Sequence, residues 1–159
     1  MKKVLLILAV SCMTINCLAQ IQQNVNTKTS RNMKMNAGIL TEKLAETKKF
    51  YTEVLGFGVS FENEFYLLLH TPAEGEEISF LLPNHPTQNP FFHKPYKGEG
   101  MYLTIEVEDV DKLYEEIKKK GIKIQVEIRD EAWGDRHFAI QDPNGIGIDI
   151  VRYTALEEK

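Results

Sequence analysis

His137 and Asp149 are the side chains best placed in this sequence to do chemistry. They lie on two strand-like segments, 136–141 and 146–151, joined by the turn Asp142-Pro143-Asn144-Gly145, so a hairpin sets them side by side. An imidazole titrates near neutrality, and a carboxylate beside it can orient it as a base. Strand alternation then decides which other groups share their face. Ile146, Ile148 and Ile150 should pack on helices, which leaves Gly147, Asp149 and Val151 on the opposite, inward face. Phe138 and Ile140 do the same for their strand and leave His137, Ala139 and Gln141 inward. In 101–107 the inward residues are Tyr102, Thr104 and Glu106, and before residue 41 they are Asn36, Gly38 and Leu40.

Those positions need elements to hold them, and the chain supplies the same order twice. A strand over 36–40 leads to a helix with Thr41 as its expected N-cap and Gly56 as its stop, then to strands over 57–61, 65–71 and 77–82. The second half has a strand over 101–107, a helix capped by Asp109 with Val110, Leu113, Tyr114 and Ile117 on one face, a stop at Gly121, and strands over 122–128, 136–141 and 146–151. Thr71-Pro72 and Asp142-Pro143 occupy equivalent places, so the repeat is roughly 65–70 residues long. It places Tyr66, Leu68 and His70 inward on the third strand and Ser79 inward on the fourth. The expected fold is α+β: paired βαβββ modules forming a curved mixed sheet around a concave pocket, with helices on the outer face. Residues 82–100, rich in proline, read as either a lid carrying Phe91, Phe92 and Tyr96 or a linker on the sheet edge; His85 and His93 within it read as solvated.

The run TEKLAETKKFYTEVLGF and the closing run WGDRHFAIQDPNGIGIDIV resemble the vicinal-oxygen-chelate superfamily, which includes glyoxalases, bleomycin-resistance proteins and extradiol dioxygenases. The resemblance covers 35–153, as modules of about 35–82 and 101–153. It implies that a divalent metal, where members use one, is held from the first, fifth and last strands, with a fourth-strand carboxylate in some. Those positions here carry Asn36, Tyr102, Asp149 and Ser79, of which only Asp149 is a good ligand. No cofactor is therefore expected. A divalent metal in a rearranged site is the alternative, with Asp149 as its weak candidate ligand.

What the face then offers is polar points on apolar walls. Asn36, Tyr66, Ser79, Tyr102, Glu106, Trp133, Arg136 and His137 form the candidate ligand-binding set, and His137 with Asp149 the candidate catalytic pair. Trp133 either roofs the pocket or joins the core, and Arg136 is the alternative partner of Asp149. Such a surface suits a planar or aromatic small molecule. A small-molecule-binding protein lacking the family metal is the expected function. The alternatives are a lyase, isomerase or dioxygenase-type enzyme using His137 and Asp149 or a rearranged metal, and a degenerate domain for protein interaction.

The net charge of −4 argues against a nucleic-acid partner, and no segment approaches the length of a membrane span. Lys2 and Lys3, an apolar run and Cys17-Leu18-Ala19 read as a signal peptide over 1–19, hence an exported protein, periplasmic or extracellular. Cleavage would leave no cysteine; lipidation at Cys12 or Cys17 is the lesser alternative. Residues 20–34 read as a flexible linker and 154–159 as a tail. The long middle segment permits a homodimer, with modules paired in one chain or swapped between two.

Overall fold

The computed structural model describes residues 34–154. The expected signal peptide, most of the expected linker, Cys12 and Cys17, and residues 155–159 lie outside the described residues. The elements follow the repeat: β1 (Ala37–Leu40), α1 (Leu44–Glu53), β2 (Gly58–Glu62), β3 (Tyr66–His70) and β4 (Glu77–Leu81), then β5 (Tyr102–Glu106), α2 (Val110–Lys119), β6 (Val126–Asp130), β7 (Asp135–Gln141) and β8 (Gly147–Tyr153). They form two four-stranded mixed sheets, ordered β1-β4-β3-β2 and β5-β8-β7-β6. In each, the first strand runs parallel to the last and the other pairs are antiparallel. The βαβββ repeat is thus realised as two separately hydrogen-bonded sheets.

Each sheet buries the face that alternation predicts. Ile39, Leu67, Leu69, Ile78 and Phe80 are buried in the first module, and Phe138, Ile140, Ile146, Ile148 and Ile150 in the second. The helices close this core through Phe50 and Tyr51 on one side and Val110, Tyr114 and Ile117 on the other. Asp109 caps α2, accepting from the Lys112 N–H at 2.9 Å. Thr41 does not cap α1, whose N-cap Lys43 makes no side-chain cap. The Thr41 hydroxyl accepts from the Lys43 N–H and donates to Asn144 Oδ1 at 2.6 Å, so it serves a contact between modules instead.

β6 begins later than the expected 122–128. Gly121 adopts φ +72°, and the Ile122 N–H still reaches back to the Ile117 carbonyl of the helix end. Pairing with β7 starts only near Gln125 and is broken by a register shift between Val126 and Arg129. The middle segment contains a short 3-10 turn, Pro90–Phe92, that leaves Phe91 and Phe92 exposed. The segment is tied down by the Tyr96 N–H, which donates to the Leu40 carbonyl at the outer edge of β1, and by His85, whose ring stacks on Phe65.

Candidate functional site

The register of the second sheet fixes a grid on its inward face. Thr104, Asp149 and Ala139 form one cross-strand row, and Glu106, Val151 and His137 the next. From the second row His137 reaches diagonally to Asp149, with Nδ1 2.6 Å from Oδ1. Its other nitrogen, Nε2, lies 3.1 Å from Glu131 Oε1, and Arg129 Nε donates to that same oxygen at 2.6 Å. Asp149, His137, Glu131 and Arg129 therefore form one line of alternating charge. Its middle is well shielded, with the His137 and Glu131 side chains 16% and 15% exposed.

Both imidazole nitrogens face carboxylate oxygens, an arrangement that favours the ring carrying both protons. Partial burial opposes the charge, but the hydrogen bonds to Asp149 and Glu131 and the field of those carboxylates outweigh it, and the His137 pKa is raised above its ordinary value. The hydrogen bond to His137 is in turn the main cause holding Glu131 below the usual range. A doubly hydrogen-bonded imidazolium has no lone pair for a metal or for a substrate proton. The His137–Asp149 pair has the layout of a base and its orienting carboxylate, yet base chemistry would first require Glu131 to be released.

The remaining expected residues are placed as follows. Tyr102 lies at the start of β5 and is 70% exposed, and Glu106 is exposed farther along that strand. Trp133 is 59% exposed, so it does not join the core. It sits in the β6–β7 turn two residues from Glu131, with its indole N–H donating to Asp135 Oδ2 at 2.8 Å. Tyr66 packs against Phe61 on the inward face of the first sheet. Ser79 is buried and donates to the Ala37 carbonyl at 3.3 Å, while Asn36 is exposed just before β1. The contacts bring His137 and Asp149 together; they join Asn36, Tyr66 and Ser79 to neither.

Arg136 requires a correction. Alternation with Phe138 and Ile140 puts it on the helix side, where it grips Asp111 at 2.6 Å and Asp130 at 3.0 Å. It is neither on the inward face nor the partner of Asp149. Glu131 is the participant that sequence reasoning missed, because it follows the register shift in β6, where counting by twos no longer assigns a face. The acidic run Asp130-Glu131 beside Trp133 was the available signal.

A model of the Glyoxalase/Bleomycin resistance protein/Dioxygenase superfamily matches residues 35–150. The chain belongs to that superfamily. No curated protein sequence matches it. Among solved structures it is similar to a glyoxalase/bleomycin resistance protein/dioxygenase from Nocardioides, at 19% identity and a TM-score of 0.65, over 89% of this chain and 95% of that one. It is also similar to TnmS3, an antibiotic-binding protein from Streptomyces sp. CB03234, at 18% identity and a TM-score of 0.63, over 79% and 98% of the two chains. A third similar structure is a bleomycin-binding protein complexed with bleomycin, at 20% identity and a TM-score of 0.56, over 77% of this chain and all of that one. At these identities the likeness establishes the fold; of these neighbours one is an antibiotic-binding protein and one a bleomycin-binding protein.

Proposed function

We propose that this superfamily member binds a planar small molecule bearing N–H or O–H donors, on the inward face of its second sheet and without a metal. The observation that carries the reading is the Asp149–His137–Glu131 line. It presents fixed carboxylates for a ligand's donors, while the exposed rings of Tyr102 and Trp133 on the same module offer surfaces for stacking. The family-type metal positions support the metal-free reading. Asn36 is exposed, Tyr102 is a neutral phenol and Ser79 is turned to a main-chain carbonyl, which leaves Asp149, one of whose oxygens is taken by His137, as a single good donor. That donor set does not fit a divalent transition metal.

The antibiotic-binding and bleomycin-binding neighbours make capture of a toxic organic molecule the favoured role. We further propose that the protein acts after export, on the strength of the signal-peptide pattern over 1–19, and as a homodimer, since both inward sheet faces leave side chains at least partly exposed in the single chain, Tyr66 and Leu68 on one and Thr104 and Asp149 on the other. Cell fractionation and light scattering check these two points. A protein retained with an intact N-terminus, or one at monomer mass, would refute them.

Trp133 is the only tryptophan, so its emission reports on the site directly. Proflavine, a planar amine, should quench it saturably, and elemental analysis should find no stoichiometric divalent metal in the purified protein. A metal that copurifies stoichiometrically and is lost in Asp149→Ala would overturn the metal-free reading.

A further inference from the structure

The two modules exchange hairpin turns, and only one of the two contacts is closed. The turn after β7 enters the first module at the β1–α1 junction. There the Asn144 side chain is held by Thr41 and Thr47, Lys43 Nζ donates to the Pro143 carbonyl, and the buried Tyr51 hydroxyl donates to Asp142. Gly98 and Gly145 meet so closely that a Cβ on Gly145 would lie 3.2 Å from Gly98 Cα. The equivalent turn of the first module, residues 71–76, faces the β5–α2 junction of the second. Among the described residues no hydrogen bond joins residues 71–76 to that junction; the modules are bridged beside it by Lys120 Nζ, which donates to the Glu53 and Val54 carbonyls at 2.7 and 3.1 Å.

In place of a seal there is a cleft of about 1160 Å³. Leu55, Phe57 and Pro72 wall it on one side, and Ile105, Val107 and Leu113 on the other. Its polar lining is uneven: Glu76, Glu106 and Glu108 stand against a single guanidinium, Arg152. Among the described residues none of these four has an ion-pair partner. This cleft is separate from the His137 line; it opens at the edge of β5 and shares Glu106 with the inward face.

We propose that this open notch is a second binding site, one that takes an alkylammonium: an aliphatic chain with a protonated or quaternary amine head. The apolar walls would take up the chain, whose burial contributes roughly 0.8 kcal/mol per methylene. The carboxylate excess selects the charge of the head. Shape explains why the first contact offers no such site, since the Asn144 turn fills it. The inference does not depend on the planar-ligand reading.

Calorimetric titration of the full chain with dodecyltrimethylammonium and with dodecanoate, each below its micelle-forming concentration, tests it. The cation should bind at least about tenfold more tightly than the anion. Glu76→Lys with Glu108→Lys should weaken the cation by about tenfold. Ala73→Trp, which fills the notch, should abolish binding, while Trp133→Ala should leave it unchanged. Equal affinity for the two probes, preference for dodecanoate, or binding that survives both charge reversal and filling would overturn the proposal. Proflavine quenching that persists in the Glu76 and Glu108 variants separates failure here from failure of the first site.

Discussion

The two modules share one chain trace but load it differently. In the first, the inward face carries Leu40, Tyr66, Leu68, Ser79 and Leu81 and, among the described residues, no linked charges, and the turn after β3 makes its hydrogen bonds within itself rather than to the second module. In the second, the inward face holds the Asp149–His137–Glu131–Arg129 line, and the turn after β7 is buried in a polar clasp. The repeat thus gives two equal frames, of which the second carries the charged face and inserts its turn into the first. The same contrast places the open cleft at the end of the molecule where the first module's turn fails to seal.

The largest effect should come from breaking the clasp. Asp142 is buried and accepts from the main-chain N–H groups of Asn144 and Ile146, from the Asn144 side chain and from Tyr51. Asp142→Ala should cost about 3–5 kcal/mol in urea unfolding, because several buried donors lose one acceptor. At the equivalent position of the other turn the Thr71 hydroxyl makes only exposed contacts with Glu76, and Thr71→Ala should stay within about 0.5 kcal/mol. Similar costs at the two positions would remove the contrast between the turns.

A smaller effect is expected within the first module. A Cβ at Gly58 would lie 2.1 Å from Nε2 of His70, whose ring covers that glycine. Gly58→Ala should destabilise by about 1–3 kcal/mol. His70→Ala should restore most of that loss, a coupling that a double-mutant cycle reads directly. Without coupling, the ring does not rest where the structure puts it.

Proton titration sharpens the charged face. The His137 pKa is raised, so its contribution to stability is complete below the ordinary imidazole value of 6.5 and is lost as pH rises through the higher folded value. Glu131 is lowered, so its contribution holds above its ordinary 4.5 and is lost as pH falls through the lower folded value. The line is therefore intact between those two folded values. NMR titration of the imidazole should give a midpoint above 6.5, and Asp149→Asn should bring it down. The smallest effect belongs to Arg136→Ala, which lies on the helix side and should leave proflavine affinity unchanged; a loss there would mean the inward face is misassigned.

Much of this architecture was legible because burial imposes periods of two and 3.6 on apolar residues. Ile146, Ile148 and Ile150, the face of α2 and the Asp109 cap all follow from that rule. Where another demand overrode local preference, the sequence misled. Thr41 has the chemistry of a cap, but Asn144, a hundred residues away, recruits its hydroxyl. Asp142 and Asn144 read as turn residues, which they are, and nothing local says that the turn is also a fastener. Alternation found His137 and Asp149 but lost Glu131 behind the register shift in β6.

The central claim is that the second module's inward face binds a small molecule through its carboxylates and rings, unaided by metal. Titration of Trp133 emission with proflavine, before and after exhaustive chelation with EDTA, tests this most directly. The account predicts saturable quenching that is identical in both samples and weakened about tenfold in Asp149→Asn, the effect of losing one charge-assisted hydrogen bond. Quenching that disappears on chelation and returns with an added divalent metal would contradict it.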